Sequence, residues 1–526
     1  MRQLFARLNR KKTSNLPQLP LISAMIFALL AGAMFPLALS PYEWWWFALI
    51  SPAIFYALLN NRTTGQAFLI GHSYGFGLWS VGAFWLYTSI HVYGDTPMPL
   101  ALAMIAFVGL GMGLFNAIQA ALYRRFFGQS PLTFAPLWVV TEWTKTWIFT
   151  GFPWLFAGYA FITYQLDNFA PLAGIFAVSF VVIFMAAALV ELIKGRLFWI
   201  LPSVLLAVIA VALGHVQWTT PKNTKPLSVS LIQGNIPQDL KWLTEYQGET
   251  LAVYANLSQT EWGRDLVVWP ESSIPLFQTD VQPFIDAVSD YARQNGTAWV
   301  TGIPYADTNT YNPHTNSYDV FYNGIMAAGQ SAQGLYKKQR LVPFGEYVPL
   351  SGALKWVLPA LKDDVSMSSF SAGGTHQKPL MVKSHALAAA ICYEVAYPNL
   401  TRNNALDSDF LVTLSNDAWF TGTDGPWQHL QMVQMRAKET GRWFIRATNT
   451  GVTAFITPEG HIERLLKQDV RGVLRGDLPA MQGSTPYMRF GDWPILTFSA
   501  LLLLLGGWIR YQNNATSIKP WKHRAG

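Results

Sequence analysis

The chain has 526 residues, of which 51% are hydrophobic and 13% are charged, and it holds a single cysteine. This composition indicates an integral membrane protein that also carries a folded domain, and a lone cysteine excludes an intramolecular disulfide. The formal net charge of +7 does not indicate nucleic-acid binding, because residues 216–493 hold 22 Lys and Arg against 25 Asp and Glu, and the remainder holds 15 against 5. The positive charge therefore belongs to the membrane part, where it reports topology.

Eight apolar segments predict membrane helices of about 20 residues. They cover residues 21–39, 44–59, 67–88, 98–122, 132–148, 168–192, 197–214 and 494–509. The segment at 44–59 is short, and the segment at 132–148 contains Glu142 and Lys145. The first segment has the basic start of a signal peptide, but its long apolar run and the segments that follow favour a retained anchor.

Basic residues fall in alternate loops of this membrane part. Besides those near the two ends of the chain, they are Arg62, Arg124, Arg125, Lys194 and Arg196. The intervening loops at 40–43, 89–97 and 149–167 contain neither Lys nor Arg. The positive-inside rule then predicts cytoplasmic termini, with residues 216–493 on the outer, periplasmic face of a bacterial inner membrane.

Glu142 and Lys145 stand three residues apart, so one helix face holds both and they can pair. Ionisable residues inside a membrane span usually face the bundle interior or a polar cavity. We favour a structural pair over direct chemistry. The alternative is a short or tilted span whose two charged groups reach the interface.

The region from about 216 to 493 alternates short β-rich runs with amphipathic helical runs, which predicts a layered α/β domain. Strands are predicted at 227–233, 265–269, 298–303, 320–326, 386–391, 410–414, 443–447 and 452–456. Helices are predicted at 246–262, 281–294 and 427–441. The aperiodic stretch 354–374 ends in SAGG and is predicted to be a mobile, lid-like loop.

Cys392 lies at the end of the small, apolar run ALAAAI (386–391), which predicts a buried strand. A strand that ends in a nucleophile and turns sharply exposes that side chain and places the next main-chain N–H beside it. The alternative is a buried structural thiol, because free cysteine is among the most buried residue types.

Two further stretches change the balance between these readings. The first is VWPES (268–272), a strand that ends in Glu271, and the second is YKKQRLVPFGE (336–346), which contains Lys338 and Glu346. Taken singly, Glu271 is compatible with a helix-start carboxylate, Lys338 with a solvated charge and Glu346 with a turn residue. His429 and the other histidines lack metal-ligand spacing, and a Gly-rich phosphate loop is missing, so we predict no metal and no nucleotide cofactor.

In this order, the three stretches resemble the nitrilase superfamily of carbon-nitrogen hydrolases. The resemblance implies an α-β-β-α sandwich with a catalytic triad of Glu271, Lys338 and Cys392. Together with the predicted spans, the chain more closely resembles the bacterial apolipoprotein N-acyltransferase family. The stretches that add to this likeness are QGNIP (233–237) with Trp242, GFPW (151–154), SNDAWF (415–420), QH (428–429), RAKE (436–439) and RATNTG (446–451). Lys145 stands where the family pattern has Arg.

The residues alone support acyl transfer. A thiolate is a strong nucleophile, and the thioester that it forms is readily attacked again. Glu271 is suited to accept the thiol proton, and Lys338, with the main-chain N–H of Tyr393, to stabilise the oxyanion. Lys337 is the rival cation, and the resemblance favours Lys338.

The same resemblance implies the remaining assignments. Glu346 and Glu394 are supporting carboxylates, and Trp242 and Tyr393 line the acceptor or acyl site. The expected domains are a membrane region at 1–215, a catalytic domain at 216–493, and a C-terminal membrane helix with a cytoplasmic tail at 494–526.

The resemblance further implies a ping-pong reaction that completes lipoprotein maturation. Cys392 takes an acyl chain from a phospholipid, mainly phosphatidylethanolamine, and passes it to the α-amine of a diacylglyceryl-cysteine at an apolipoprotein N-terminus. We expect a monomer. One alternative is a membrane-anchored, nitrilase-like amidase with water as the acceptor, and another is a transporter or scaffold with an inactive outer domain.

Overall fold

The computed structural model of the protein describes residues 18–315, 317–347 and 370–517. Its chain divides into two compact units. One unit combines the residues up to Val216 with those from Phe490 onward, and the other comprises Gln217–Arg489. Of the lid-like loop predicted at 354–374, the part up to residue 369 lies outside the described residues.

The first unit is helical, and a helix occurs at each of the eight predicted segments. The helices are α1 (Leu21–Met34), α2 (Phe47–Leu58), α3 (Thr64–Gly82), α4 (Met98–Phe126), α5 (Pro131–Thr144), α6 (Ala170–Ile193), α7 (Ile200–Gly214) and the C-terminal helix (Trp493–Ser517). Within the described residues, five segments are long and apolar enough to cross a membrane: Leu21–Ala38, Met98–Phe126, Gln165–Ile193, Leu197–Gly214 and Trp493–Asn514. Helices α2, α3 and α5 are not among them, and α2 and α5 have only 12 and 14 residues, so the number of eight crossings stays a prediction.

Glycines allow helices α1, α3 and α4 to approach each other closely. A Cβ atom on Gly32 would lie 1.9 Å from the main-chain oxygen of Tyr74, and one on Gly77 would lie 2.1 Å from that of Leu29. Small residues at such crossings let helix backbones pack closely. Inside a lipid bilayer the hydrophobic effect does not drive helices together, and this van der Waals packing stabilises their association instead. The sequence of α3 therefore combines an apolar surface with a glycine-lined contact.

The structure places Glu142 and Lys145 in different local surroundings. Glu142 accepts hydrogen bonds from Trp138 Nε1 at 2.9 Å and from the Ala157 N–H at 2.8 Å. The Lys145 ammonium lies over two aromatic rings, 5.3 Å from the Trp79 centroid and 5.2 Å from the Phe156 centroid. Both side chains are buried, and the structural role of this pair stays a prediction.

The second unit contains a twelve-stranded sheet among its described residues, in the order β14-β13-β12-β11-β10-β9-β8-β7-β4-β3-β2-β15. The strands are β1 (Thr219–Pro221), β2 (Leu227–Gln233), β3 (Leu266–Val268), β4 (Ala298–Ala306), β5 (Tyr311–Asn312), β6 (Ser317–Tyr318), β7 (Phe321–Gly329), β8 (Ala332–Lys337), β9 (Leu380–Val382), β10 (His385–Ile391), β11 (Phe410–Ser415), β12 (Trp443–Thr448), β13 (Thr453–Ile456), β14 (Ile462–Leu466), β15 (Gly472–Leu478) and β16 (Met481–Gly483). Strands β2, β3 and β4 are parallel to each other, as are β10, β11 and β12.

The helices of this unit are α8 (Gln238–Lys241), α9 (Thr244–Ser258), α10 (Gln282–Gln294), α11 (Pro398–Ala405), α12 (Gly425–Thr440) and α13 (Pro486–Phe490). Alternate residues of each parallel strand face opposite ways. In β10, Leu387 and Ile391 join a core shared with β2 and β3, while Ala388 and Ala390 join a second core with residues of α12. Residues of β3 and β4 pack outward against α9 and α10 in the same manner. The predicted α-β-β-α sandwich is confirmed.

The ends of two strands position the functional residues. Strand β3 ends at Val268, three residues before Glu271, and β10 ends at Ile391, directly before Cys392. Separately, β1 pairs with β16 in an antiparallel ribbon, with Thr219 opposite Gly483. The chain therefore enters and leaves the second unit through adjacent strands.

We predict that Gly77→Ala destabilises the helical unit, whereas Gly111→Ala does not. The new methyl group at residue 77 would collide with the backbone of α1, and overpacking of this kind typically costs about 1–3 kcal/mol. Residue 111 is the matched control, because it lies in α4 and a Cβ there meets no atom of the described chain within 4 Å. Thermal unfolding of both variants in detergent tests this, and equal melting temperatures would contradict the packing described.

Candidate active site

Cys392 occupies a sharp turn directly after β10. Its φ of +49° lies in the left-handed region that residues other than glycine rarely adopt, and a short 3₁₀ helix (Cys392–Ala396) begins there. The Ile391 N–H donates to Glu394 Oε2 at 2.7 Å, which fixes the turn from the preceding residue. The side chain of Cys392 is half-buried. Strained backbone of this kind recurs at functional sites.

Glu271 follows β3 and is held at both carboxylate oxygens. Oε1 accepts a hydrogen bond from Asn323 Nδ2 at 2.8 Å and lies 3.6 Å from Lys338 Nζ, while Oε2 accepts from the Asn416 N–H at 2.7 Å. Gly302 on β4 is required beside this turn, because a Cβ atom there would lie 2.6 Å from the Glu271 Cα. The carboxylate is therefore fixed by donors from three separate segments.

Lys338 follows β8 and is almost completely buried. Its ammonium donates to Glu346 Oε1 at 2.9 Å, so that one cation serves the carboxylates of Glu271 and Glu346. Burial alone would lower the pKa of Lys338, but Glu346 and Glu271 raise it above its ordinary value, so the group stays charged. Lys337 points elsewhere, with its ammonium 4.1 Å from the Tyr322 ring centroid and 3.6 Å from Asp307 Oδ2.

Asn323, on β7, is a member of this cluster that sequence reasoning missed. Its Nδ2 donates to Glu271 Oε1 and, at 2.9 Å, to Glu346 Oε1. Its main-chain oxygen also accepts from the Lys338 N–H at 2.8 Å. A lone asparagine in a strand carries no pattern that marks it, and only the pairing of β7 with β4 and β8 brings it to the site.

Glu394 lies beneath the Cys392 turn and is fully buried. Its Oε1 accepts from the N–H groups of Gln339 and Arg340 at 2.6 and 3.0 Å, and its Oε2 accepts also from the Tyr336 hydroxyl at 3.0 Å. Burial raises the pKa of Glu394 to about 7, against the opposing effect of its main-chain donors and of Lys338. Glu394 thus ties the Cys392 turn to the segment that carries Lys338.

Three neighbouring effects act on the pKa of the Cys392 thiol. Burial raises its pKa, the Glu271 carboxylate raises it further, and the Lys338 ammonium opposes both effects. A thiol whose pKa is raised needs a base beside it before it becomes a nucleophile, and the Glu271 carboxylate is in position to be that base. The arrangement matches an elbow cysteine that is activated by proton transfer when a substrate arrives.

On the other side of the elbow lie Asp417, His429 and Arg446. Ligand-type atoms of Cys392, Asp417 and His429 come within 4.8 Å of one another, a spacing that sequence periodicity did not reveal. These atoms are already engaged in hydrogen bonds, because His429 Nε2 contacts the Cys392 main-chain oxygen at 2.9 Å and Arg446 Nη2 donates to Asp417 Oδ2 at 2.6 Å. Burial would raise the pKa of Asp417, but Arg446, His429 and Ser415 together lower it to about 2. We therefore interpret this cluster as a network that supports the elbow.

The two predicted aromatic residues lie in different surroundings. Tyr393 is buried, with its ring edge-on to Tyr397 at a centroid distance of 5.3 Å. Trp242 follows α8 and is 46% exposed, so it is available to a substrate from outside. Their roles stay predictions, as do those of Glu271, Lys338, Cys392, Glu346 and Glu394, five residues that the structure brings to one place.

Comparison with known proteins gives a consistent result for the whole chain. The family model for the apolipoprotein N-acyltransferase N-terminal domain matches residues 31–188, and that for carbon-nitrogen hydrolases matches residues 228–487. An apolipoprotein N-acyltransferase of Azotobacter vinelandii is 41% identical over 510 residues, covering 94% of this chain and 96% of the relative. One from Vibrio parahaemolyticus is 36% identical over 525 residues, covering 97% and 99%. A solved structure of a Saccharomyces cerevisiae nitrilase-superfamily member has 15% identity and a TM-score of 0.36, and covers 49% of this chain and 93% of its own.

We predict that Lys338→Met destabilises the second unit strongly, by about 3–5 kcal/mol, because two buried carboxylates then lose their shared cation. Lys337→Met is the matched control, and since its ammonium is partly exposed we expect a loss of about 0–1 kcal/mol. The double variant Lys338→Met/Glu346→Gln should recover part of the loss by removing one orphaned charge. Chemical unfolding followed by tryptophan fluorescence checks this order, and a double variant less stable than Lys338→Met alone would refute the shared-cation account.

Proposed function

The chain belongs to the apolipoprotein N-acyltransferase family, and we propose that it works through a thioester on Cys392, with Glu271 as the general base and Lys338 as the oxyanion-stabilising cation. The protein is an acyltransferase of the bacterial membrane. It transfers an acyl chain from a phospholipid donor to the N-terminus of a lipoprotein acceptor. The observation that carries the proposed mechanism is the position of the Cys392 elbow beside the cluster of Glu271, Lys338 and Glu346.

In the first half-reaction, Glu271 takes the proton from the Cys392 sulfur, and the sulfur attacks the ester carbonyl of the phospholipid. The S–C bond forms, and the negative charge moves to the carbonyl oxygen, where Lys338 and the Tyr393 N–H stabilise it. The ester C–O bond then breaks, and the leaving alcohol takes the proton back from Glu271. The products are an acyl-enzyme and a lysophospholipid.

In the second half-reaction, the α-amine of a diacylglyceryl-cysteine attacks the thioester. Glu271 takes the amine proton as the N–C bond forms, and the S–C bond breaks to release the thiolate. The thiolate then recovers the proton from Glu271. Because Glu271 returns to its ionised form after each half-reaction, one base serves both.

The supporting residues follow from the same geometry. Glu346 keeps Lys338 charged and in place, and Glu394 holds the Cys392 turn. We assign Trp242 and Tyr393 to the surface that contacts the acyl or acceptor chain, since Trp242 is exposed and Tyr393 follows the nucleophile directly. Phosphatidylethanolamine as the main donor and a monomeric enzyme remain part of this proposal.

The distribution of basic residues supports a proposed topology. The membrane region at 1–215 and the C-terminal segment at 494–526 enclose a catalytic domain at 216–493 that lies on the periplasmic side, with both termini in the cytoplasm. Both substrates are lipids or lipid-anchored, so an active site at the outer surface of the bilayer meets them without extracting them into water.

We predict that incubation with phospholipid adds one fatty-acyl mass to the wild-type protein and none to Cys392→Ala. Hydroxylamine should remove the added mass, because a thioester reacts with it readily. Intact-mass spectrometry in detergent measures both results. An equal adduct on Cys392→Ala would refute the assignment of the nucleophile.

The acceptor is tested on the acyl-enzyme itself. A diacylglyceryl peptide should discharge the thioester and gain an amide-linked acyl chain. Release of free fatty acid at the same rate with and without the peptide would instead support the amidase alternative, in which water is the acceptor.

The topology is tested with single cysteines in the Cys392→Ala background. A membrane-impermeant maleimide should label Tyr42→Cys in cells whose outer membrane has been permeabilised, and should label Gly128→Cys only after lysis. Both sites are exposed, and they lie in loops predicted on opposite sides of the membrane. The reverse labelling pattern would place the catalytic domain in the cytoplasm.

A further inference from the structure

Lys241 is a buried ammonium group that the proposed mechanism does not use. It is the last residue of α8, and its side chain is 0% exposed. Its Nζ donates to the main-chain oxygen of Glu271 at 3.1 Å, the one hydrogen-bond acceptor it has within the described parts of the chain. Burying a lysine charge costs free energy unless the ammonium is paired and hydrogen-bonded with neighbouring groups. The neighbours here are the proposed base and the nucleophile.

Helix α8 is linked to Glu271 from both of its ends, directly through Lys241 and indirectly through Asn416. At one end, Lys241 holds the main chain of Glu271. At the other end, Gln238 Oε1 accepts from Asn416 Nδ2 at 2.8 Å, and the Asn416 N–H donates to Glu271 Oε2 at 2.7 Å. All these groups are buried, so the position of Glu271 depends on the position of α8.

The charges that act on the Cys392–Glu271 pair come from every element around it. They are the carboxylates Glu346, Glu394 and Asp417, the cations Lys338, Lys241 and Arg446, and the imidazole of His429. Lys338 is already shared between two carboxylates, and Arg446 pairs with Asp417. Lys241 differs from these cations, because its Nζ donates to a neutral acceptor, the main-chain oxygen of Glu271. Its positive charge therefore interacts with both Glu271 and Cys392.

Such a cation has a defined effect on the proton balance. The working state holds one proton on the thiol–carboxylate pair, and the inactive state holds two. A positive charge nearby favours the state with one proton, and opposite charges within a few ångströms typically change an acid pKa by about 1–3 units. Burial lowers the pKa of Lys241 to about 8, against Glu271 and Cys392, so the group is mainly charged at neutral pH.

We propose that Lys241 is a positioning residue of the acyl transfer, whose ammonium fixes the main chain of Glu271 and keeps the Cys392–Glu271 pair at a single shared proton. The inference rests on the proposed function, in which Cys392 is the nucleophile and Glu271 the base. By this inference, α8 helps to position the proposed base. Lys241 also directly precedes the exposed Trp242 in the sequence.

The test uses the fact that Cys392 is the only cysteine of the chain, so alkylation by iodoacetamide reports this thiol alone. The alkylation rate of the full-length protein in detergent is measured by intact mass from pH 5 to 10. For Lys241→Met we expect the profile to move to higher pH by about one unit or more, which slows alkylation at pH 7 about tenfold. Lys241→Arg keeps the charge and should stay near the wild-type profile.

Two further variants separate charge from packing. Lys241→Gln retains a donor for the Glu271 oxygen but loses the charge, so it should move in the same direction as Lys241→Met. Lys383→Met is the matched control, because Lys383 also donates to a main-chain oxygen, that of Gly296, but is only half-buried and lies outside the cluster. We expect its profile to coincide with that of the wild type.

A wild-type profile in both Lys241→Met and Lys241→Gln would overturn the proposal. So would a slowing of equal size at every pH together with a lower melting temperature, since that result describes packing and not charge. The measurement needs no lipid, so its outcome is independent of acyl transfer. A wild-type protein that is alkylated normally but forms no acyl adduct with phospholipid would refute the proposed function, and the alkylation profiles would still decide the role of Lys241.

Discussion

The shared ammonium of Lys338 is the interaction on which the site depends. It joins two carboxylates that reach it from different parts of the fold, Glu271 after β3 and Glu346 after the turn that follows β8. Three charges that are removed from water remain stable only if their geometry is held closely, because the cost of desolvation is several kcal/mol for each ion. Asn323 supplies a neutral donor to both carboxylates. The pairing of β7 with β8 holds Asn323 next to Lys338.

Burial and the Glu271 carboxylate raise the pKa of the Cys392 thiol, and the Lys338 ammonium of this charge cluster opposes them. A cysteine beside an uncompensated cation would be a thiolate, open to oxidation and to any electrophile at the cell surface. Here Lys338 is occupied by the carboxylates of Glu271 and Glu346, and in the proposed mechanism the thiol gives up its proton when a substrate carbonyl approaches. The φ of +49° places Cys392 in a left-handed turn, and Glu394 holds this turn by accepting from the Ile391 N–H.

The sequence predicts those parts of the fold that short runs of neighbouring residues determine. The strands that end at Val268 and Ile391 are short apolar runs followed within three residues by Glu271 and Glu394, so both the strands and the residues after them are visible in the sequence. Charged residues interrupt the short apolar runs of β14 and β15, and β14 is mainly exposed, so the sequence predicted no strand at either place. Asn323 and Lys241 escaped for a different reason, because their function arises only from contacts with distant segments. The roles of Trp242 and Tyr393 came from family likeness alone.

The ribbon of β1 and β16 has a consequence for how such an enzyme is assembled. Because these strands pair, the two ends of the second unit leave it side by side, with Thr219 opposite Gly483. Domains with neighbouring ends are the ones that tolerate insertion into another chain without rebuilding either core. A hydrolase-like sandwich of this kind is therefore a transferable module. It can be placed between two membrane helices by a pair of adjacent joints, and its acceptor chemistry can diverge while its sheet stays the same.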